Sequence, residues 1–153
     1  MEKTTNTLTS ILKKSSPEQV GDYLDGQKDE LLTGKNPFGD FMRETVRKNG
    51  FRLQEIFLRS DISEGYGYKL ISGEKHTRQR DVIIKMCLAG RFTLEETQRA
   101  LKIYGMSPLY ARFPRDAVLI VAVNSGRYGL ADVNRMLREN GQGMLKGAEE
   151  ADS

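Results

Sequence analysis

Apolar residues recur at three- and four-residue intervals along most of this 153-residue chain, the period of helices with one buried face. Leu8, Ile11 and Leu12 open a short amphipathic helix. Ser16-Pro17-Glu18-Gln19 is a second start signal, with serine as N-cap, proline at the first helical position and Gln19 reaching back. Val20, Tyr23 and Leu24 are its stripe, Leu31-Leu32 a further apolar pair, and Thr33-Gly34-Lys35 a break. Residues 6–34 read as a helical lead-in too small to fold alone. Asn36-Pro37 repeats the cap-then-proline start, Phe38, Phe41, Met42 and Val46 mark an inward face, and Asn49-Gly50 ends the helix, with Arg43, Arg47, Lys48 and Arg52 on or near its exposed side.

From Arg52 to Lys75 the pattern predicts two short helices with a tight break. Leu53, Ile56 and Phe57 make one buried face, with Leu58 close beside them; Ile62 plugs the core in the turn, and Ser63 is placed to N-cap the next helix. Tyr66, Leu70 and Ile71 restart the spacing and Gly73 ends it as a left-handed cap. Thr77 is placed to cap a fourth helix whose Val82, Ile83, Ile84, Met86, Cys87 and Leu88 make it apolar nearly all round, hence buried on more than one side. Thr93-Leu94-Glu95-Glu96 is a capping box for a fifth, with the stripe Leu94, Thr97, Leu101 and Tyr104, stopped by Gly105.

Beyond Gly105 the hairpin is written again. Arg80-Asp81 answers to Arg115-Asp116 at an offset of 35, and Gly90-Arg91-Phe92, Leu94, Arg99, Leu101 and Gly105 answer to Gly126-Arg127-Tyr128, Leu130, Arg135, Leu137 and Gly141 at an offset of 36. Two copies make a local duplication, not a solenoid. The apolar run Ala117 to Val123 is the centre of the second hairpin, and the Gly-, Ala- and acid-rich end is a disordered tail. The expected organisation is all-α: an N-terminal segment over 1–35, a helix-turn-helix domain over 36–105, a C-terminal helical hairpin over 106–145 packed on it, and a tail over 146–153.

The helix, short turn, helix, glycine stop over 52–75 resembles the helix-turn-helix of the phage-repressor and Cro type, often called the XRE family. There a small residue and serine close the turn, and "aromatic, x, x, isoleucine, x, x, Gly" runs through the second helix. That pattern falls on Ser63, Tyr68, Ile71 and Gly73. The resemblance implies a five-helix repressor-like domain and a small bacterial-type transcription regulator whose second helix enters the DNA major groove. Dimerisation is implied too, with the C-terminal hairpin as candidate surface, although internal burial is the plainer use of Ala117 to Val123. Residues 64–68 read Glu-Gly-Tyr-Gly-Tyr, where the family usually presents Gln, Arg, Ser or Thr to base edges.

Composition narrows the classes. With 38% hydrophobic and 29% charged residues the chain is of the soluble globular kind. Its longest apolar run is far short of the roughly 20 residues a membrane helix needs, no basic-then-apolar leader is visible, and a cytoplasmic location is the default expectation. Net charge is +3, and nine Lys or Arg against five acids put the basic excess in residues 41–80, over the helix-turn-helix. That is the sign a nucleic acid requires. The lone Cys87 reads as an inert core thiol, and the lone His76 lacks the partners of a metal or catalytic set, so neither enzyme nor cofactor is expected.

The remaining constellation is Tyr66, Tyr68 and Lys69 on the second helix, with Ser63 and Glu64 at its start and Lys75, His76, Arg78 and Arg80 in and after the loop that follows. Helix residues would read base edges, Glu64 accepting from cytosine N4, while the basic loop grips phosphates of double-stranded DNA. One tyrosine has to be core, and spacing to Ile71 makes that Tyr68. The alternative partner is a protein: Gly65 and Gly67 would admit its close approach and Tyr66 would anchor it, making the chain an adaptor with a repurposed helix-turn-helix.

Overall fold

The computed structural model describes residues 36–146; the lead-in expected over 6–34 and the tail beyond Lys146 lie outside them. The chain divides between Pro37 and Phe38, so the segment expected at 106–145 and all but the first two residues of that expected at 36–105 fall in the unit that follows. Among the described residues all regular structure is helical: α1 (Pro37–Lys48), α2 (Leu53–Arg59), α3 (Glu64–Ser72), α4 (Arg80–Ala89), α5 (Leu94–Tyr104), α6 (Pro114–Asn124) and α7 (Leu130–Glu139).

Local chemistry sets the helix ends. At α5 the Thr93 hydroxyl accepts from the Glu96 N–H at 3.1 Å while the Glu96 carboxylate accepts from the Thr93 N–H at 2.9 Å, the reciprocal cap expected. The described helices other than α3 close with a paired backbone motif, as in Asp61 N–H to Leu58 and Ile62 N–H to Phe57, or Gly126 N–H to Val123 and Arg127 N–H to Ala122. The motif needs one residue in the left-handed region. Gly126 fills that position at φ 71° after α6, but after α4 it is Arg91, at φ 53°. Gly90 therefore answers to Ser125 rather than to Gly126, and the extra residue of the second copy enters after the turn. What Gly90 supplies is room: a Cβ there would lie 2.7 Å from Phe92 Cε1.

The core collects Met42, Val46, Ile56, Phe57, Ile62, Leu70 and Ile71 around α4, every residue of which after Arg80 is buried. α2 packs on α4, α3 packs on α2, and α5 packs on α4 as α7 does on α6. Leu58, two positions from Ile56, falls on the opposite side of α2 and is 82% exposed. Thr77 does not cap α4. Its backbone N–H donates to the Tyr104 hydroxyl at 2.7 Å and its own Oγ1 accepts from the Gln79 N–H at 3.0 Å, which buries it and leaves Gln79 at the N-cap.

The duplicated hairpins lock onto each other reciprocally. Arg80 of the first copy pairs with Asp116 of the second, and Arg115 of the second makes two 2.8 Å hydrogen bonds to Asp81 of the first. Each arginine also donates to carbonyls behind its own hairpin: Arg80 to Ser107 and Pro108, Arg115 to Gly143 and Met144. Each aspartate accepts from the N–H two residues beyond the last of those carbonyls, Asp116 from Tyr110 (after Pro108) at 2.9 Å and Asp81 from Lys146 (after Met144) at 3.0 Å. Gln98 Oε1 accepts from the Leu109 N–H at 2.7 Å, and Asn134 Oδ1 from the Leu145 N–H at 2.8 Å. An exchange in which each copy gives the other the same partner is the contact pattern of a two-fold axis, here internal and approximate. The duplication thus runs to Lys146, past Gly141 where the sequence match stops.

Burial would raise the Asp81 carboxyl, but the Arg115 guanidinium and the Lys146 N–H outweigh it and hold it below the usual carboxylate range. Arg80, expected among phosphate-gripping residues, is instead bound inside this lock.

Candidate nucleic-acid interface

α3 is seated by its inward arc. Tyr66, Gly67, Leu70 and Ile71 are buried, and Gly67 makes that seating close: a Cβ built on it would lie 2.5 Å from Phe57 Cδ1. This turns the helix away from the expected orientation. Tyr66, at 9% exposure, is the core tyrosine, and Tyr68, at 41%, is outward with its ring edge-on to Phe57 at 5.0 Å. Both Tyr66 and Tyr68 satisfy a helical spacing to the apolar pair Leu70-Ile71. The α2–α3 approach at Gly67 decides between them.

The outward side of α3 carries Glu64, Gly65, Tyr68, Lys69 and Ser72, and the loop after it exposes Lys75, His76 and Arg78. Ser63 stands at the N-cap position, its carbonyl accepting from the Gly67 N–H at 2.9 Å, but its side chain makes no capping hydrogen bond. Glu64 accepts from the Gln54 amide at 3.0 Å, which turns it toward α2 rather than toward a base. Lys69 is exposed, and its carbonyl accepts from the Lys75 N–H at 3.0 Å, folding the loop back past the left-handed Gly73 at φ 84°. The Lys75 ammonium sits 5.9 Å from the Tyr66 ring centroid, near the limit of a cation–π contact. His76 lies flat on Tyr104, with centroids 4.3 Å apart and planes 6° from parallel.

The structure therefore places Lys69 at the end of α3 and Lys75, His76 and Arg78 in the loop that follows it, removes Tyr66 from the surface, and ties the half-buried Arg80 to Asp116. Tyr68 is the outward aromatic that the spacing to Ile71 placed inside; its i, i+4 relation to Glu64 and Ser72 was the available signal. Of the basic residues over 41–80, Lys48 is paired with Glu96 at 2.7 Å, Arg43 with Asp40 at 3.6 Å, and Arg59 lies over the Phe51 ring at 4.7 Å.

Among the described residues no group of three His, Cys, Asp or Glu could hold a metal ion, and no helix is long and apolar enough to cross a membrane. Compared with known proteins, the chain matches no family model, no curated protein and no solved structure.

Proposed function

We propose that this chain is a non-enzymatic, DNA-binding transcriptional regulator of helix-turn-helix type, with α1 to α5 as its five-helix repressor-like domain and α3 laid in the major groove. The observation that carries the reading is the division of α3: one arc is committed to Phe57 and the core, and the other is presented to solvent directly ahead of a loop exposing Lys75, His76 and Arg78. Tyr68 and Ser72 then face base edges, and Lys69, Lys75 and Arg78 grip phosphates, positioning without specifying. A gel shift against the upstream region of its own gene and against random duplex, at several salt concentrations, tests this. Lys69→Ala and Arg78→Ala should each weaken binding on all sequences and lower the log–log salt slope by roughly 0.9, whereas Tyr68→Ala should change sequence preference. A salt-independent interaction contradicts the proposal. Dimerisation through the C-terminal hairpin would use the outward part of α6, where Val121 is 54% exposed; sedimentation decides it.

One observation favours the second reading, an adaptor that binds protein. Leu58 and Tyr68 are both outward on the α2–α3 pair, and an exposed aromatic is the residue type that anchors protein interfaces. No duplex retained even at low salt, together with a stoichiometric protein partner lost on Tyr68→Ala, would select it.

A further inference from the structure

The internal two-fold relates α5 to α7, and the two copies differ in what lies over them. Along α5 runs α1: Phe38 packs on Tyr104 at 4.6 Å, Phe41 lies beneath the Arg99 guanidinium at 5.5 Å, Lys48 pairs with Glu96 at 2.7 Å, and the Asn49 amide donates to the Gly90 carbonyl at 3.0 Å. The Phe51 ring just beyond α1 takes the Arg91 guanidinium at 5.9 Å. Residues 36 further along repeat two of the basic positions, Arg99 and Lys102 becoming Arg135 and Arg138, while Arg127 stands one residue past Gly126, the structural counterpart of Arg91. Over α7, however, no described helix takes the place of α1, and Arg127, Ala131, Asp132, Arg135, Arg138 and Met144 line an open groove.

The groove is also more positive than its counterpart. Where α5 has Glu95 and Glu96, α7 has Ala131 and Asp132, so the groove lining holds one carboxylate against Arg127, Arg135 and Arg138; Glu139, which stands where α5 has Ile103, does not line it. Asp132 pairs with Arg135 and, at 3.7 Å, with Arg127, leaving an excess of positive charge above a floor that contains Ala131 and the half-exposed Met144. Met is suited to adaptable apolar contact.

We propose that this groove docks an acidic amphipathic helix of a partner protein, seated on α7 as α1 is seated on α5, with an aromatic residue beneath Arg135 and carboxylates toward Arg127 and Arg138. A second copy of the chain does not supply it from α1, because that helix already covers its own α5. A phosphate backbone would satisfy the guanidinium groups but leave the Ala131–Met144 floor without an apolar partner, which favours the helix. The site is separate from the outward face of α3 and does not depend on the DNA-binding reading.

The test uses the full chain and a fluorescent peptide with the sequence of residues 36–51 carrying R43E and R47E, which keeps Phe38, Phe41 and Lys48 and makes the helix acidic. Anisotropy should report saturable binding, weakened at least about tenfold by R135E with R138E and little changed by K69E with K102E, an equal charge change away from the groove. Changing Phe41 of the peptide to alanine should weaken it too. All four substituted side chains are exposed, so thermal melts should confirm folded variants. Absence of saturable binding, or equal loss in both double variants, would overturn the proposal. So would random duplex DNA that displaces the peptide and itself loses affinity in R135E with R138E, because the groove would then be a nucleic-acid contact.

Discussion

Replacing Gly67 by alanine would place a methyl carbon 2.5, 2.6 and 2.7 Å from Cδ1, Cε1 and Cγ of Phe57. Carbon atoms rest at about 3.5–4.0 Å, so either the ring or the helix has to move by about 1 Å. Phe57 has little freedom to yield: it is 1% exposed, its ring is held edge-on by Tyr68, and the clash reaches Cγ, close to its own backbone. Overpacking of this kind costs about 1–3 kcal/mol, offset by up to about 1 kcal/mol for replacing glycine within a helix. The net expectation is a destabilisation of about 0–2 kcal/mol. Gly65, two residues earlier in α3, is the internal control. A Cβ there meets nothing within 4 Å, so Gly65→Ala keeps the propensity gain without the clash. Urea unfolding followed by circular dichroism should therefore separate the two variants by about 1–3 kcal/mol, with Gly65→Ala the more stable. A second core change, Phe57→Leu, should couple to Gly67→Ala, because the smaller side chain relieves the overlap. If Gly67→Ala is as stable as Gly65→Ala, then α3 does not rest on Phe57 as described, and the assignment of Tyr68 to the outward face loses its basis.

Two further outcomes follow from the core. Asp81 titrates below its ordinary value in the folded chain, so its contribution is fully present above the unfolded value of about 4 and lost as pH falls through the folded one. Asp81→Asn should lower stability at neutral pH by about 1–3 kcal/mol and flatten the acid limb of a pH–stability curve; an unchanged limb would refute the role given to the lock. Burial, with Glu96 nearby, pushes the Cys87 thiol well above its ordinary value, so a thiol reagent at neutral pH should label it only after denaturant is added. Rapid labelling of the native protein would contradict that burial.

Features encoded within a few residues of each other were legible along the chain. The capping box at Thr93, the left-handed glycines at Gly73 and Gly105, and the all-round apolar character of α4 depend on local backbone and side-chain chemistry, and the structure keeps them. Repetition of Arg-Asp at 80–81 and 115–116 was visible as well. That the two pairs exchange partners was not, because an ion pair across an internal two-fold depends on how the hairpins face each other and leaves no spacing in the sequence.

The outward face of α3 was the least legible part for the same reason. Periodicity by itself determined that residues 64–72 form a helix with one apolar side, but Tyr66 and Tyr68 each fit a helical spacing to Leu70-Ile71, and a rotation of the helix exchanges them. Only the tertiary contact of Gly67 with Phe57 decides the rotation: the closest approach of α3 to α2 must fall where there is no side chain, which sends Tyr66 inward and Tyr68 outward. Likewise the sequence determined that Arg80, Thr77 and Glu64 are polar and suited to caps or contacts. Their use was decided by neighbours distant along the chain, Asp116, Tyr104 and Gln54, because a polar side chain takes the partner that folding brings within hydrogen-bonding reach.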